Sequence, residues 1–191
     1  MRKTVLKDWY NFIKVYSNFI PSTFCDEVAN NTSENINWKR HGWTNYNTDS
    51  KEHYEHDCEV LNTNWIQDED FYKELRSYSR KAMFNYYPEM FVGAQKLSEI
   101  RLNRYNQGTH MKFHIDNIRG LFDGEKKGVP ILSIVGCLDD NYEGGEMIFN
   151  NEHEVRLNKG DIVIFPSNFM FGHSVNTISK GRRVSFVSWG Y

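Results

Sequence analysis

From about residue 96 onward, apolar and polar residues alternate in short bursts, as expected of strands whose two faces meet different surroundings. KLSEIRLNRYN (96–106) and MKFHID (111–116) alternate, and VPILSIVGCL (129–138) is an apolar run suited to a strand buried on both faces. EMIFN, HEVRL, DIVIFP, HSVNT and RRVSFVSWGY follow. The segments between them, DDNYEGGE, NNEHE, NKGD and SKG, are rich in the Gly, Asn and Asp that favour turns. Short strands at this spacing predict a double-sheet jelly roll, also described as a double-stranded β-helix.

The first 95 residues have another rhythm. FIKVYSNFIP predicts a strand leading into a turn, and PSTFCDEVANN a short helix opening at Pro21 or Ser22. Residues 31–64 are polar, aromatic and without period, so an irregular segment is expected there. DEDFYKELRSYSRKAMFNYYPEM predicts the main helix: acidic residues occupy its first turn, and Phe71, Leu75, Tyr78 and Ala82 share one stripe. The expected fold is α+β, mainly β, in one domain over 1–191. A strand, helices and an irregular segment (1–95) would pack on one sheet of a jelly-roll core (96–191).

Composition narrows the function classes. The chain is 39% apolar and 15% aromatic, enough for a folded core. A formal net charge of -2 gives no basic excess, so a nucleic-acid partner is not expected. The one basic, aromatic cluster is NWKRHGW, with Trp38, Lys39, Arg40, His41 and Trp43, and it reads as a solvated loop folded over the barrel. Cys25, Cys58 and Cys137 are widely spaced and form no C-x-x-C, which suits a reducing, cytoplasmic setting. Lys7, Asp8, Asn11 and Lys14 interrupt the N-terminal apolar residues, so neither a signal peptide nor a membrane partner is expected.

The chemistry concentrates in the strand segment. His114 and Asp116 stand two residues apart on the polar face of 111–116, opposite Met111, Phe113 and Ile115. If that face looks into the sandwich, an imidazole and a carboxylate aim at one point. His173, heading a C-terminal strand, is the best third ligand. Two histidines and one carboxylate on one face of an octahedron suit ferrous iron and leave positions open. Arg183 and Ser185 share a face ten residues further on, and a buried guanidinium requires an anion. Tyr105 alternates with Asn103 and Arg101, a polar row that would line the cavity. Ile131, Ile134, Ile162, Ile164, Phe165 and Val175 are candidates for an apolar shell. A helical zinc pair from HMKFH (His110, His114) lacks the glutamate a protease needs, and HYEHDC (His53, His56, Cys58) lacks a second half and reads as a surface loop. No G-x-S-x-G or phosphate loop is present.

Together, RYNQGTHMKFHIDN, LDDNYEGGEMIF, VRLNKGDIVIFPS and HSVNTISKGRRVSFVSW resemble the Fe(II)/2-oxoglutarate-dependent dioxygenases, in particular the prolyl hydroxylase-like branch. The resemblance covers roughly 96–191. It implies His114, Asp116 and His173 as catalytic iron ligands, Arg183 as the clamp for 2-oxoglutarate, and Ser185 and Tyr105 as further cosubstrate contacts. It also implies Fe(II), 2-oxoglutarate and O2, with ascorbate as a reductant. The implied reaction is hydroxylation of a C–H bond with release of succinate and CO2. A peptidyl proline or other protein side chain is the expected substrate; a free amino acid or small metabolite is the alternative, and a non-catalytic jelly-roll binding module the rival. Gly144, Gly145, Gly160 and Asp161 match turns of the family. Met111, Gly136 and Cys137 stand where the branch often has aromatic residues. NIRGLFDGEKKG (117–128) is a candidate substrate lid.

Overall fold

The computed structural model describes residues 8–34, 37–45, 48, 50–62, 69–90, 93–117 and 129–191. Nearly all of the candidate lid lies outside the described residues. A short 3-10 turn, Trp9–Phe12, leads into β1 (Lys14–Tyr16) and α1 (Ser22–Ser33). Next come β2 (Lys39–Arg40), β3 (Trp43–Asn45), β4 (Ser50–Glu52), β5 (Glu59–Asn62) and α2 (Glu69–Met90). The C-terminal half holds β6 (Arg101–Tyr105), β7 (Met111–His114), β8 (Leu132–Cys137), β9 (Tyr142–Gly144), β10 (Met147–Phe149), β11 (His153–Val155) and β12 (Ile162–Pro166). It closes with β13 (His173–Val175), β14 (Ile178–Gly181) and β15 (Arg183–Gly190).

A seven-stranded sheet runs β1-β12-β8-β15-β6-β5-β2, and a four-stranded sheet runs β11-β10-β13-β7. Every strand pair in both sheets is antiparallel. The two sheets face each other, and Phe149 of the small sheet meets Phe165 of the large one edge to face at 4.8 Å. Strand alternation then assigns each large-sheet residue to one of two cores. Ile134, Ile162, Ile164, Val184 and Phe186 turn outward to pack with Leu75, Ala82, Met83 and Tyr86 of α2 and Phe24 and Val28 of α1. Val135, Cys137, Val163, Phe165, Val187 and Trp189 turn inward to Met147, Phe149, Val155 and Val175.

This parity corrects part of the expected apolar shell. Ile134, Ile162 and Ile164 belong to the helix-facing core, and Ile131 is exposed. Only Phe165 and Val175 of that group lie between the sheets. It also explains Gly136: a Cβ there would sit 2.1 Å from the Phe186 ring, so the position is kept small by packing.

The segment expected to be irregular holds β2 to β5, and β5 extends the large sheet beside β6. Strands of two to four residues with polar side chains leave too little period to read. The pair β9–β14 was likewise not expected.

Candidate metal centre

β7 pairs with β13 through His173 opposite His114 and Val175 opposite Met111. Three steps on β7 thus match two on β13, which makes β7 bulged. The bulge breaks the alternation read from the sequence. Met111 and His114 both turn inward, while Lys112 and Phe113 are left exposed. The expectation that Met111 occupies the face opposite His114 is corrected by this one extra residue.

His114, Asp116 and His173 come together, with one potential ligand atom from each lying within 4.8 Å of the others. His114 Nε2 is 3.5 Å from Asp116 Oδ1, and His173 Nε2 is 4.0 Å from Asp116 Oδ2. The imidazoles lie 4.3 Å apart between ring centres, and His173 is walled by Phe149 and Phe165. Each ring is fixed by its other nitrogen: His114 Nδ1 donates to the Lys112 carbonyl at 2.8 Å, and His173 Nδ1 to the Phe171 carbonyl at 3.1 Å. A carbonyl only accepts, so in the neutral rings both Nε2 atoms carry lone pairs. Two lone pairs and a carboxylate turned toward one point are the donor set a divalent cation satisfies.

Asp116 lies just past the end of β7 and bridges the sheets. Its Oδ2 accepts from Ser133 Oγ of β8 at 2.6 Å, and Ser133 shares a 2.8 Å hydrogen bond with Ser167. Burial alone would raise the Asp116 carboxyl, but His114, the charge of His173 and the Ser133 hydroxyl outweigh it and hold the group well below the usual carboxylate range. Burial, and then the charge of His114, push His173 down to about 4. His114 moves the other way: burial opposes its protonation, but the hydrogen bond and charge of Asp116 prevail and raise it. In the metal-free centre Asp116 is therefore ionised, His173 is neutral, and His114 is the imidazole most tightly coupled to the carboxylate.

Arg183 opens β15 and points into the same interior, 1% exposed. Among the described residues no carboxylate pairs with it and its Nε has no hydrogen-bond partner. Nη1 donates to Ser185 Oγ at a long 3.4 Å, and the guanidinium carbon lies 5.1 Å from the centre of the Tyr105 ring. The register places Arg183 opposite Tyr105 and Ser185 opposite Asn103, so the polar row of β6 does line the interior. Gly145 makes room for this group. Its φ is 73°, and a Cβ would come within 3.2 Å of Arg183 Cδ.

Sequence reasoning missed Ser133 and Ser167, which carry no motif and stand in apolar runs. It also missed Tyr142, which donates to the Leu157 carbonyl at 3.0 Å and touches the Cys137 thiol at 3.5 Å beside Arg183. Of the HYEHDC cluster, His53 and His56 lie toward the surface, whereas Asp57 and Cys58 are buried. Among the described residues, His114, Asp116 and His173 make the one grouping of metal-ligand type. No described helix is long and apolar enough to cross a membrane.

A sequence model of the 2OG-Fe(II) oxygenase superfamily matches residues 100–191. A PKHD-type hydroxylase of Stenotrophomonas maltophilia is 34% identical over 114 residues, which is 54% of this chain and 48% of that protein. This chain matches about half the length of such curated relatives. Among solved structures, a Trichoplax adhaerens prolyl hydroxylase in complex with a hypoxia inducible factor peptide fragment superimposes with a TM-score of 0.72. Its identity is 15%, and the match covers 95% of this chain and 84% of that one. A Pseudomonas putida prolyl-4-hydroxylase gives a TM-score of 0.67 at 16% identity, covering 97% of this chain and 96% of that one. At such identities the likeness is one of fold.

Proposed function

We propose that this chain, which belongs to the 2OG-Fe(II) oxygenase superfamily, is a dioxygenase that hydroxylates a C–H bond of a peptidyl proline or other protein side chain, releasing succinate and CO2. The observation that carries this reading is the pairing, inside one sandwich, of a three-donor cluster with a buried guanidinium that has no anion among the described residues. A jelly-roll module with a structural cation would account for the cluster and leave Arg183 unexplained.

In this reading His114, Asp116 and His173 hold ferrous iron through Nε2, a carboxylate oxygen and Nε2. With iron, 2-oxoglutarate and O2 bound, the chemistry supplied is oxidative decarboxylation of the keto acid coupled to C–H hydroxylation. The protein's part is placement and exclusion of water. Arg183 offers a planar fork to the distal carboxylate of 2-oxoglutarate, which replaces the missing anion. Because Ser185 Oγ accepts from Arg183, its own proton is available for the same carboxylate. Tyr105 forms the floor beneath the guanidinium. Val135, Val187, Phe149 and Phe165 keep the space between the two groups dry. Asp116 stays ionised chiefly through His114 and His173, with the Ser133 hydroxyl adding to them, and so keeps its charge for the metal. Ascorbate would serve as an external reductant.

The test is succinate release under air from purified protein given Fe(II), 2-oxoglutarate and ascorbate, with and without proline-containing peptides. Peptide-stimulated succinate with a matching hydroxylated product supports the reading. Absence of succinate from iron-loaded protein under all conditions would overturn it in favour of a binding module.

A further inference from the structure

The NWKRHGW segment, expected as a solvated loop, is in fact partly buried. His41 lies between β2 and β3, tied through its backbone N–H to the Cys58 carbonyl at 2.7 Å. Among the described residues, neither its ring Nδ1 nor the Trp43 Nε1, both buried, has a hydrogen-bond partner. Trp43 is held by stacking on Tyr54 at 5.9 Å, and Tyr54 carries Lys112 of β7 over its ring at 3.4 Å. Two ring nitrogens on one turn, unpaired among the described residues, are available to a polar partner from outside the protein.

A cation without a carboxylate partner among the described residues lies near His41. Arg101 of β6 lies opposite Val187, and its guanidinium carbon sits 4.9 Å from the centre of the Trp189 ring. Trp189 in turn lies directly opposite Ser133, the donor to Asp116. Arg101 is thereby set at the level of the metal centre, whereas Arg183 enters six residues earlier on β15. Nε of Arg101 donates to Asn103 at 3.2 Å, and no carboxylate among the described residues pairs with the guanidinium. Burial first, then the charges of Arg101, His114 and His53, push His41 down to about 3, so its ring is neutral beside the Arg101 cation.

Resting on the reading of the site as a 2-oxoglutarate oxygenase, we propose that Arg101, His41 and Trp43 form the recognition wall for the prime substrate, and that this substrate presents a carboxylate to them. Arg101 supplies the charge and a planar fork. Trp43 supplies an N–H donor, and His41, neutral, donates or accepts according to its tautomer. The wall is separate from Arg183, so the chain has two anion subsites at different depths, one for the cosubstrate and one for the molecule to be hydroxylated. A free amino acid, a peptide C-terminus and an acidic side chain each carry the required group.

Protein loaded with redox-inert Zn(II) and saturating 2-oxoglutarate is titrated calorimetrically with matched acids and amides. The probes are free amino acids against amino-acid amides, N-acetyl amino acids against their N-acetyl amides, and end-blocked peptides with internal Glu against Gln. At least one series should favour the acid by about tenfold or more, and the series that does so identifies the source of the carboxylate. Arg101→Met should bring acid and amide to within about twofold, Arg101→Lys should keep part of the preference, and Trp43→Phe should weaken the acid alone. No acid binding, equal binding of acids and amides, or a preference that survives Arg101→Met would overturn the proposal. So would a raised 2-oxoglutarate requirement in Arg101→Met with acid preference intact. Failure of the wild-type protein to bind Zn(II) and 2-oxoglutarate at the outset would instead overturn the oxygenase reading, and this proposal with it.

Discussion

Ser133→Ala deletes one oxygen atom and tests whether the hydroxyl that spans the two sheets holds Asp116 for metal binding. Ser133 Oγ lies 2.6 Å from Asp116 Oδ2, and both residues are buried. A hydrogen bond to a charged group contributes about 1.5–3 kcal/mol. The substitution also removes the 2.8 Å partner of the buried Ser167 hydroxyl, which works in the same direction. A net loss of about 2 kcal/mol in a chain of this size lowers Tm by roughly 4–8 °C. Once released, the carboxylate no longer points reliably between the imidazoles, and loss of such an outer partner weakens metal binding by about 10–100-fold. The assays are thermal unfolding of the metal-free protein and competition for Zn(II) against a chromogenic chelator. Ser133→Cys, similar in size but a weaker donor, should fall between alanine and wild type. A metal affinity for Ser133→Ala within twofold of wild type would refute the reasoning, whatever happened to Tm.

Further expectations concern the same interior. Asp116→Ala should lose iron on dialysis, as read by metal analysis; full occupancy would remove Asp116 from the ligand set. Arg183→Met should keep its iron but raise the 2-oxoglutarate concentration needed for half-saturation by about 10-fold or more; an unchanged requirement would mean another cation holds the cosubstrate. Gly136→Ala drives a methyl into the Phe186 ring and should cost about 1–3 kcal/mol in chemical denaturation, with little change in the denaturant slope. His173 sits at about 4 in the folded protein against an ordinary 6.5, so its contribution is fully present above pH 6.5 and is lost as pH falls toward 4. Between pH 7 and pH 5 that loss amounts to roughly 2 kcal/mol. Metal-free His173→Gln should accordingly lose less Tm over this interval than wild type, and equal losses would contradict the assignment.

How much of this could be read from the chain depended on the length of the pattern. The long helix, the apolar run at 129–138 and the C-terminal strand carried enough period to declare themselves. They fixed which side of the large sheet Arg183, Ser185 and Trp189 occupy. β2 to β5 were too short and polar to do so. His114 and Asp116 were visible as a spaced pair because only their neighbours were apolar. The bulge that turns Met111 and His114 to the same side was not visible, since one extra residue shifts the parity without altering composition. The apolar shell failed for a related reason: β8 and β12 are hydrophobic on both faces, so composition cannot tell the helix-facing core from the sandwich interior. Ser133 and Arg101 needed the register of three neighbouring strands before either could be linked to the metal centre.

The central claim is that one cation and one keto acid share this interior in a fixed order. A crystal structure of the protein grown anaerobically with Mn(II) and 2-oxoglutarate tests it most directly. A single anomalous peak should appear among His114 Nε2, Asp116 and His173 Nε2, with the far carboxylate of 2-oxoglutarate seated on Arg183. Manganese bound elsewhere, or a cosubstrate whose free carboxylate avoids Arg183, would contradict it.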